Sequence, residues 1–303
     1  MEKISRQTRD TIKTVLFLVL VAVLILTYVI YPLNRSKALM GRENIDSFKA
    51  DSLSANDPTP FSSLGVQVDS LRIEADGVTK LAILYMTKGG IQDSKPRGTI
   101  ILVPDERQNR ATLAPLAKEL VDSGFAVITY DQRASGLTTG LFHSDGQLEA
   151  LDLEAVIAFF EIRGRIHHPL VVVGFRAGGD AAMMAESEEK RIDGAVAINP
   201  YLTTERMLGD LVAQNGMYRF PFYRTMLWWW FGMRSGYAFT AHDIGDMVSV
   251  SAPTRLYVDA DRLNDPEVLK LAQLSRPEQL KISPVTMKNG ELVETAITLA
   301  DRK

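Results

Sequence analysis

Between residues 66 and 287, short apolar runs alternate with segments long enough for amphipathic helices, and that rhythm leaves few architectures open. The runs at 99–103, 126–130, 170–173, 195–198, 254–258 and about 281–287 are short, and most are apolar at consecutive positions. A strand that is apolar on both faces must be buried on both, as in a parallel sheet covered by helices on each side. Helices are expected at 110–123, 147–163 and 177–190, between the strands. The segments 66–74 and 78–87, rich in β-branched and aliphatic residues, flank Ala75-Asp76-Gly77 and read as an opening hairpin. The expected class is α/β with a doubly wound, mostly parallel sheet.

A second feature precedes this domain. Residues 14–33 read TVLFLVLVAVLILTYVIYPL, twenty residues without a charge. At 1.5 Å rise per residue, about 20 residues match a hydrocarbon core ~30 Å thick. Tyr28 and Tyr31 fall where an interfacial aromatic belt would lie. A cleaved signal peptide has a shorter apolar region and a small-residue cleavage site, whereas this run ends in Tyr-Val-Ile-Tyr-Pro. The expectation is an uncleaved signal anchor in the lipid bilayer. Lys3, Arg6, Arg9 and Lys13 precede it, and Arg35, Lys37 and Arg42 follow. A short basic N-terminus before a long domain favours a cytoplasmic N-terminus, with the main domain periplasmic or extracellular. The expected organisation is a basic segment 1–13, a transmembrane anchor 14–33, a linker 34–60 and a domain 61–303.

Composition removes several function classes. A formal net charge of −3 leaves no basic footprint for nucleic acid. The chain has no cysteine, so disulfide frameworks, thiolate metal sites and cysteine nucleophiles are excluded. Four histidines, at 143, 167, 168 and 242, leave little material for a metal centre, and neither a metal nor a cofactor is expected.

The most informative local pattern is Leu170-Val171-Val172-Val173-Gly174-Phe175-Arg176-Ala177-Gly178-Gly179-Asp180. A buried strand runs into Gly-x-Arg-x-Gly and then a helix of small residues. Glycines two before and two after a central residue permit a sharp turn that lifts its side chain above the sheet. Asp131, Arg133, Gly136 and Thr138 follow the strand at 126–130, Asp152-Leu153 opens a helix, and Asp261 follows the strand at 254–258. As an ordered series over about residues 61–290, these features resemble the serine-hydrolase branch of the α/β-hydrolase superfamily. The resemblance implies a doubly wound, mostly parallel hydrolase fold with a lid insertion and acyl-transfer chemistry. It places the nucleophile at Arg176, the catalytic acid at Asp261, and the oxyanion-hole His-Gly at Pro104-Asp105.

Acyl transfer needs a hydroxyl nucleophile, a histidine base and a carboxylate that fixes the imidazole tautomer. A guanidinium stays protonated and has no lone pair with which to attack. No histidine follows His242, where the base should lie. The degenerate positions Arg176, Asp261 and Asp105 therefore predict a pseudo-hydrolase. Arg176, at a helix N-terminus, needs a compensating anion. Two sources are expected: an internal ion pair with Asp261 or Asp105, or a bound carboxylate or phosphate. His143-Ser144-Asp145 reads as a polar surface loop, with His143 as a spare base. His167 and His168 read as surface or capping residues at the far edge of the sheet, and His242-Asp243 lacks further metal ligands.

Residues about 201–245 form the expected lid. Ten of the chain's 24 aromatic residues lie within positions 218–239, including all three tryptophans. Phe222, Tyr223, Trp228, Trp229, Trp230 and Phe231 are the candidates for contact with the bilayer or another membrane protein. Three consecutive tryptophans on a helix cannot all face one way, so an apolar patch should show unless a partner or lipid covers it. Residue types alone leave a buried lid and an exposed contact surface as equal alternatives. Three functions follow. The first is a catalytically inactive binding or assembly subunit of a membrane complex. The others are an active esterase, lysophospholipase or peptidase with a non-standard residue set, and an anion sensor using Arg176.

Overall fold

The structure is a computed structural model of the 303-residue chain, and it describes residues 6–40, 65–88, 95–106, 108–140, 142–144, 146–212, 222–235, 249–285 and 289–301. Helix α1 (Arg6–Ile25) passes through a π-wound stretch (Leu26–Ile30) into α2 (Tyr31–Met40). Pro32 accounts for the widened turns. It has no N–H to give, and its ring presses on the carbonyl four residues back, so an extra residue per turn relieves the clash. The resulting helix Gln7–Ala38 has 32 residues, its most apolar stretch has a mean hydropathy of 2.8, and it is long and apolar enough to cross a membrane.

The domain is built on one eight-stranded sheet. Its strands are β1 (Gln67–Glu74), β2 (Lys80–Thr87), β3 (Thr99–Val103), β4 (Ala126–Tyr130), β5 (Leu170–Phe175), β6 (Gly194–Ile198), β7 (Thr254–Val258) and β8 (Leu280–Pro284). Their order is β1-β2-β4-β3-β5-β6-β7-β8. β2 is antiparallel to both β1 and β4, and the remaining pairs are parallel. The helices are α3 (Ala114–Asp122), α4 (Gln147–Ile162), α5 (Ala177–Glu188), α6 (Thr204–Val212), α7 (Tyr223–Ser235), α8 (Pro266–Leu274) and α9 (Asn289–Ala300). The doubly wound α/β class is as expected, and the opening hairpin forms in the expected place.

Alternation along the central strands builds two cores. Val172 and Ile101 face α4 and α5, where Leu153, Ile157, Phe160 and Met183 complete one cluster. Val171, Val173 and Ile100 face the other way, against Leu116 and Leu120 of α3 and Leu292, Ala296 and Leu299 of α9. Burial on both faces explains why these strands are continuously apolar. Two elements were not anticipated. α8 follows Asp265-Pro266, a helix-start signal, and α9 carries an apolar stripe at 292, 293, 296, 299 and 300.

The expected linker 34–60 needs correction at its start. Residues 34–40 are helical because α2 has a packing partner: α7 lies against α2 and against the π-wound stretch. The Tyr31 and Tyr223 rings are 6.0 Å apart, and Pro32 and Ser36, one turn apart, are buried. Residues 41–60 lie outside the described residues.

Candidate functional site

β5 delivers Arg176 to the carboxyl edge of the sheet with φ 48° and ψ −116°. This left-handed backbone costs a non-glycine residue about 1–3 kcal/mol and persists only where its surroundings dictate it. They do so here through close backbone packing. A Cβ on Gly174 would lie 2.0 Å from the Gly178 carbonyl oxygen, and one on Gly178 would lie 2.4 Å from that of Pro104. The Arg176 N–H donates to the Ile198 carbonyl at 2.9 Å, tying the turn to β6. The elbow is thus fully formed around a residue that cannot act as a nucleophile.

The Arg176 side chain lies among carboxylates and a phenol. Its Nη2 donates to Tyr201 Oη at 2.8 Å and to Asp210 Oδ2 at 3.1 Å. Its Nε donates to Tyr201 Oη at 3.2 Å and lies 3.4 Å from Asp105 Oδ2. The guanidinium carbon sits 4.6 Å from the centre of the Tyr201 ring, a cation–π arrangement. Tyr201 Oη in turn donates to Glu106 Oε1 at 2.9 Å. Burial, with the Glu106 charge beside it, pushes the Tyr201 phenol well above its ordinary value, so it remains a neutral donor. Asp180, in the first turn of α5, fixes Tyr201 by accepting the Tyr201 and Leu202 N–H groups, both at 3.0 Å.

The ion pair expected of Arg176 therefore forms with Asp105, and Asp210 of the lid joins it. Asp261 does not take part. It is exposed in the 3₁₀ turn Ala260–Arg262, and Asp259, two residues earlier, is the carboxylate that accepts from Asn199 Nδ2, just past β6, at 2.7 Å. The sequence gives no role to Tyr201, Glu106, Asp180 or Asp210. Only Asp180, an acidic residue in a first helical turn, carried a local signal.

The loops behind the elbow are organised by buried charge. Asp131 accepts the Arg110 and Leu137 N–H groups, each at 2.8 Å, and pairs with the Arg110 guanidinium. Gly136 leaves the space that Asp131 fills, since a Cβ there would lie 2.2 Å from Oδ2. Arg133 grips Asp152 at 2.8 and 2.7 Å. Burial nevertheless raises Asp152 to about 7, more than Arg133 lowers it. These family positions hold the β4–α4 connection together and do not touch Arg176.

His143 corrects another expectation, because it and Ser144 are buried rather than on the surface. Its Nδ1 lies 3.9 Å from Glu149 Oε1, and neither ring nitrogen makes a hydrogen bond. Burial lowers its pKa, against the opposing charges of Glu149 and Glu106. Ser144 instead caps α4, bonding to Glu149 and accepting the Leu148 N–H at 2.9 Å. His168 sits at the entry to β5, with Nδ1 2.6 Å from Asp193 Oδ2, at the edge opposite Arg176. His242, Asp243 and Asp145 lie outside the described residues. Among the described residues no cluster of His, Asp or Glu is placed to hold a metal ion.

Helix α7 of the lid packs beside this site. Tyr223, Leu227 and Phe231, at i, i+4 and i+8 on α7, are buried with Ala177, Tyr201 and Met207. Trp228 packs at the margin of that cluster, and Trp230 is half-buried. Phe222 is 75% exposed, Trp229 53% and Met233 60%. The aromatic segment thus has both a buried and an open face.

The family model described as serine aminopeptidase, S33, matches residues 94–267, more than half of the chain. An esterase from Pyrococcus furiosus has a similar fold, with TM-score 0.60 and 19% identity over 82% of this chain and 96% of that one. Brefeldin A esterase, a bacterial homologue of human hormone-sensitive lipase, gives 0.58 and 18% over 90% of this chain and 85% of the other. An α/β hydrolase from a Penicillium species gives 0.55 and 13% over 78% and 98%. No curated protein sequence matches the chain. With its strand order, its elbow and this match, the chain belongs to the serine aminopeptidase S33 family of the α/β-hydrolase superfamily.

Proposed function

We propose that this chain is a membrane-anchored α/β-hydrolase-fold protein that does not carry out serine acyl transfer and serves as a binding or assembly subunit of a membrane-associated complex. The carrying observation is Arg176 at the apex of an intact elbow, held by Tyr201, Asp105 and Asp210. The absence of any histidine after position 242 supports the same reading. In this reading residues 14–33 cross the bilayer, the N-terminus is cytoplasmic, and residues 61–303 form the outer domain. An anionic ligand at Arg176 would compete with the charges of Asp105 and Asp210, which weighs against a sensor role. The family match favours one rival, a hydrolase that uses other residues. His143 is its base candidate, but no described hydroxyl is hydrogen-bonded to it.

The test is fluorophosphonate labelling of the full-length protein in detergent, beside short-chain ester turnover and an Arg176→Ser variant. No labelling and no turnover above the buffer rate are expected in either form, because a serine at the elbow would still lack its base. Stoichiometric labelling or heat-sensitive turnover of the wild type would overturn the proposal, and mapping the adduct would identify the nucleophile.

A further inference from the structure

The N-terminal helix and the lid helix meet, and that meeting fixes the depth of α7. Along residues 14–33, a rise of 1.5 Å per residue puts positions 26–33 in roughly the last 12 Å of a ~30 Å hydrocarbon core. α7 packs against the π-wound stretch Leu26–Ile30 and against α2, so part of it lies at the depth where the anchor leaves the bilayer. Its inner face is occupied by Tyr223, Leu227 and Phe231 under the domain. Its outer face carries Phe222, Trp229 and Met233, all more than half exposed. Val29 and Ile30 of the anchor are uncovered as well, at 40% and 42%.

We propose that α7 is a membrane-interface helix, with Phe222, Trp229 and Met233 seated in the boundary between acyl chains and headgroups on the side where the anchor emerges. The proposal rests on the anchorage described above and adds a second point of attachment. Lipid is the occupant because the face adjoins the chain's own spanning helix at bilayer depth. Tryptophan also supplies the apolar body and polar edge that this boundary favours. One consequence concerns the site: α7 packs with Ala177 and Tyr201, next to Arg176, so a helix held by the bilayer on one side and by α2 on another brings the site close to the membrane surface.

The chain's three tryptophans are all in α7, so intrinsic fluorescence reports on this helix alone. The full-length protein is reconstituted into phosphatidylcholine vesicles with and without acyl-chain bromination, as a Trp228→Phe/Trp230→Phe double variant and as Trp229→Phe. The form retaining Trp229 is expected to lose about half its emission in brominated lipid, as a side chain ~5–10 Å into the boundary should. Trp229→Phe, whose remaining indoles are half-buried, is expected to lose distinctly less. Flotation on a density gradient after alkaline wash, and the thermal midpoint of each variant, accompany the measurement. A folded protein that floats with the vesicles while Trp229 ignores brominated lipid overturns the proposal and leaves the anchorage standing. Acrylamide quenching would then mean that Trp229 faces water, and shielding from both quenchers would mean that a protein covers it. A protein that fails to float overturns the anchorage, and the proposal with it.

Discussion

Arg176 keeps the strained backbone of a nucleophile elbow while its side chain carries a permanent charge, and the surroundings accommodate both. The glycines on either side admit the turn, and Tyr201, Asp105 and Asp210 receive the guanidinium. His143 differs, being buried without a hydrogen bond and facing Glu149, Glu106 and Arg133. Burial lowers its pKa in the folded state, while the unfolded chain takes up a proton near the ordinary imidazole value of about 6.5. Below that value the unfolded state binds more protons, so stability present above pH ~6.5 is lost on acidification, by at most ~1.4 kcal/mol per pH unit. His143→Leu should remove this slope and leave stability at pH 8 almost unchanged, since no hydrogen bond is lost. Urea unfolding in detergent from pH 8 to 5 checks it, and parallel pH curves for the two proteins would refute it.

Helix α7 shows why an element can be read two ways from its sequence. Its aromatic content marked it as special, but content alone does not divide inner from outer residues. Spacing does once the partner faces are known: Tyr223, Leu227 and Phe231 form a stripe four residues apart against the domain, and Phe222, Trp229 and Met233 lie on the other side. Phe231→Ala should therefore destabilise the detergent-solubilised protein by about 3–5 kcal/mol, the usual cost of truncating a buried phenylalanine. Trp229→Ala should stay within ~0.5 kcal/mol, as exposed substitutions do. Equal losses in thermal denaturation would mean that the two faces are assigned wrongly.

Across the whole molecule, the N-terminal apolar helix is a structural neighbour of the domain. α2 covers the Tyr223 side of α7, so residues beyond the apolar span contribute to the fold of the lid. Removing residues 1–25 should leave the domain's melting temperature near that of the full chain, because α2 remains. Removing residues 1–40 uncovers α7, and each 1 kcal/mol lost should lower the midpoint by about 2–4 °C in a chain of this size. Differential scanning fluorimetry of both truncations in the same detergent separates the cases. Identical midpoints would mean that α2 contributes nothing to the lid.

The sequence by itself determined the α/β class, the apolar helix, the elbow turn with arginine at its centre and the lack of any histidine after position 242. Each of these is written in consecutive residues or in the presence of a residue type, so local periodicity and chemistry suffice to read it. α8 and α9 also carried local signals, at Asp265-Pro266 and in the stripe ending at Ala300, that were simply not used. The tertiary structure alone decided that Arg176 meets Asp105, Asp210 and Tyr201 rather than Asp261, that His143 is buried, and that α2 extends to cover α7. Those contacts join residues 25 to about 190 positions apart, and which partner lies within hydrogen-bond reach depends on how the sheet edge, the loops and the lid converge. Distances of that kind arise from packing and leave no periodic trace along the chain.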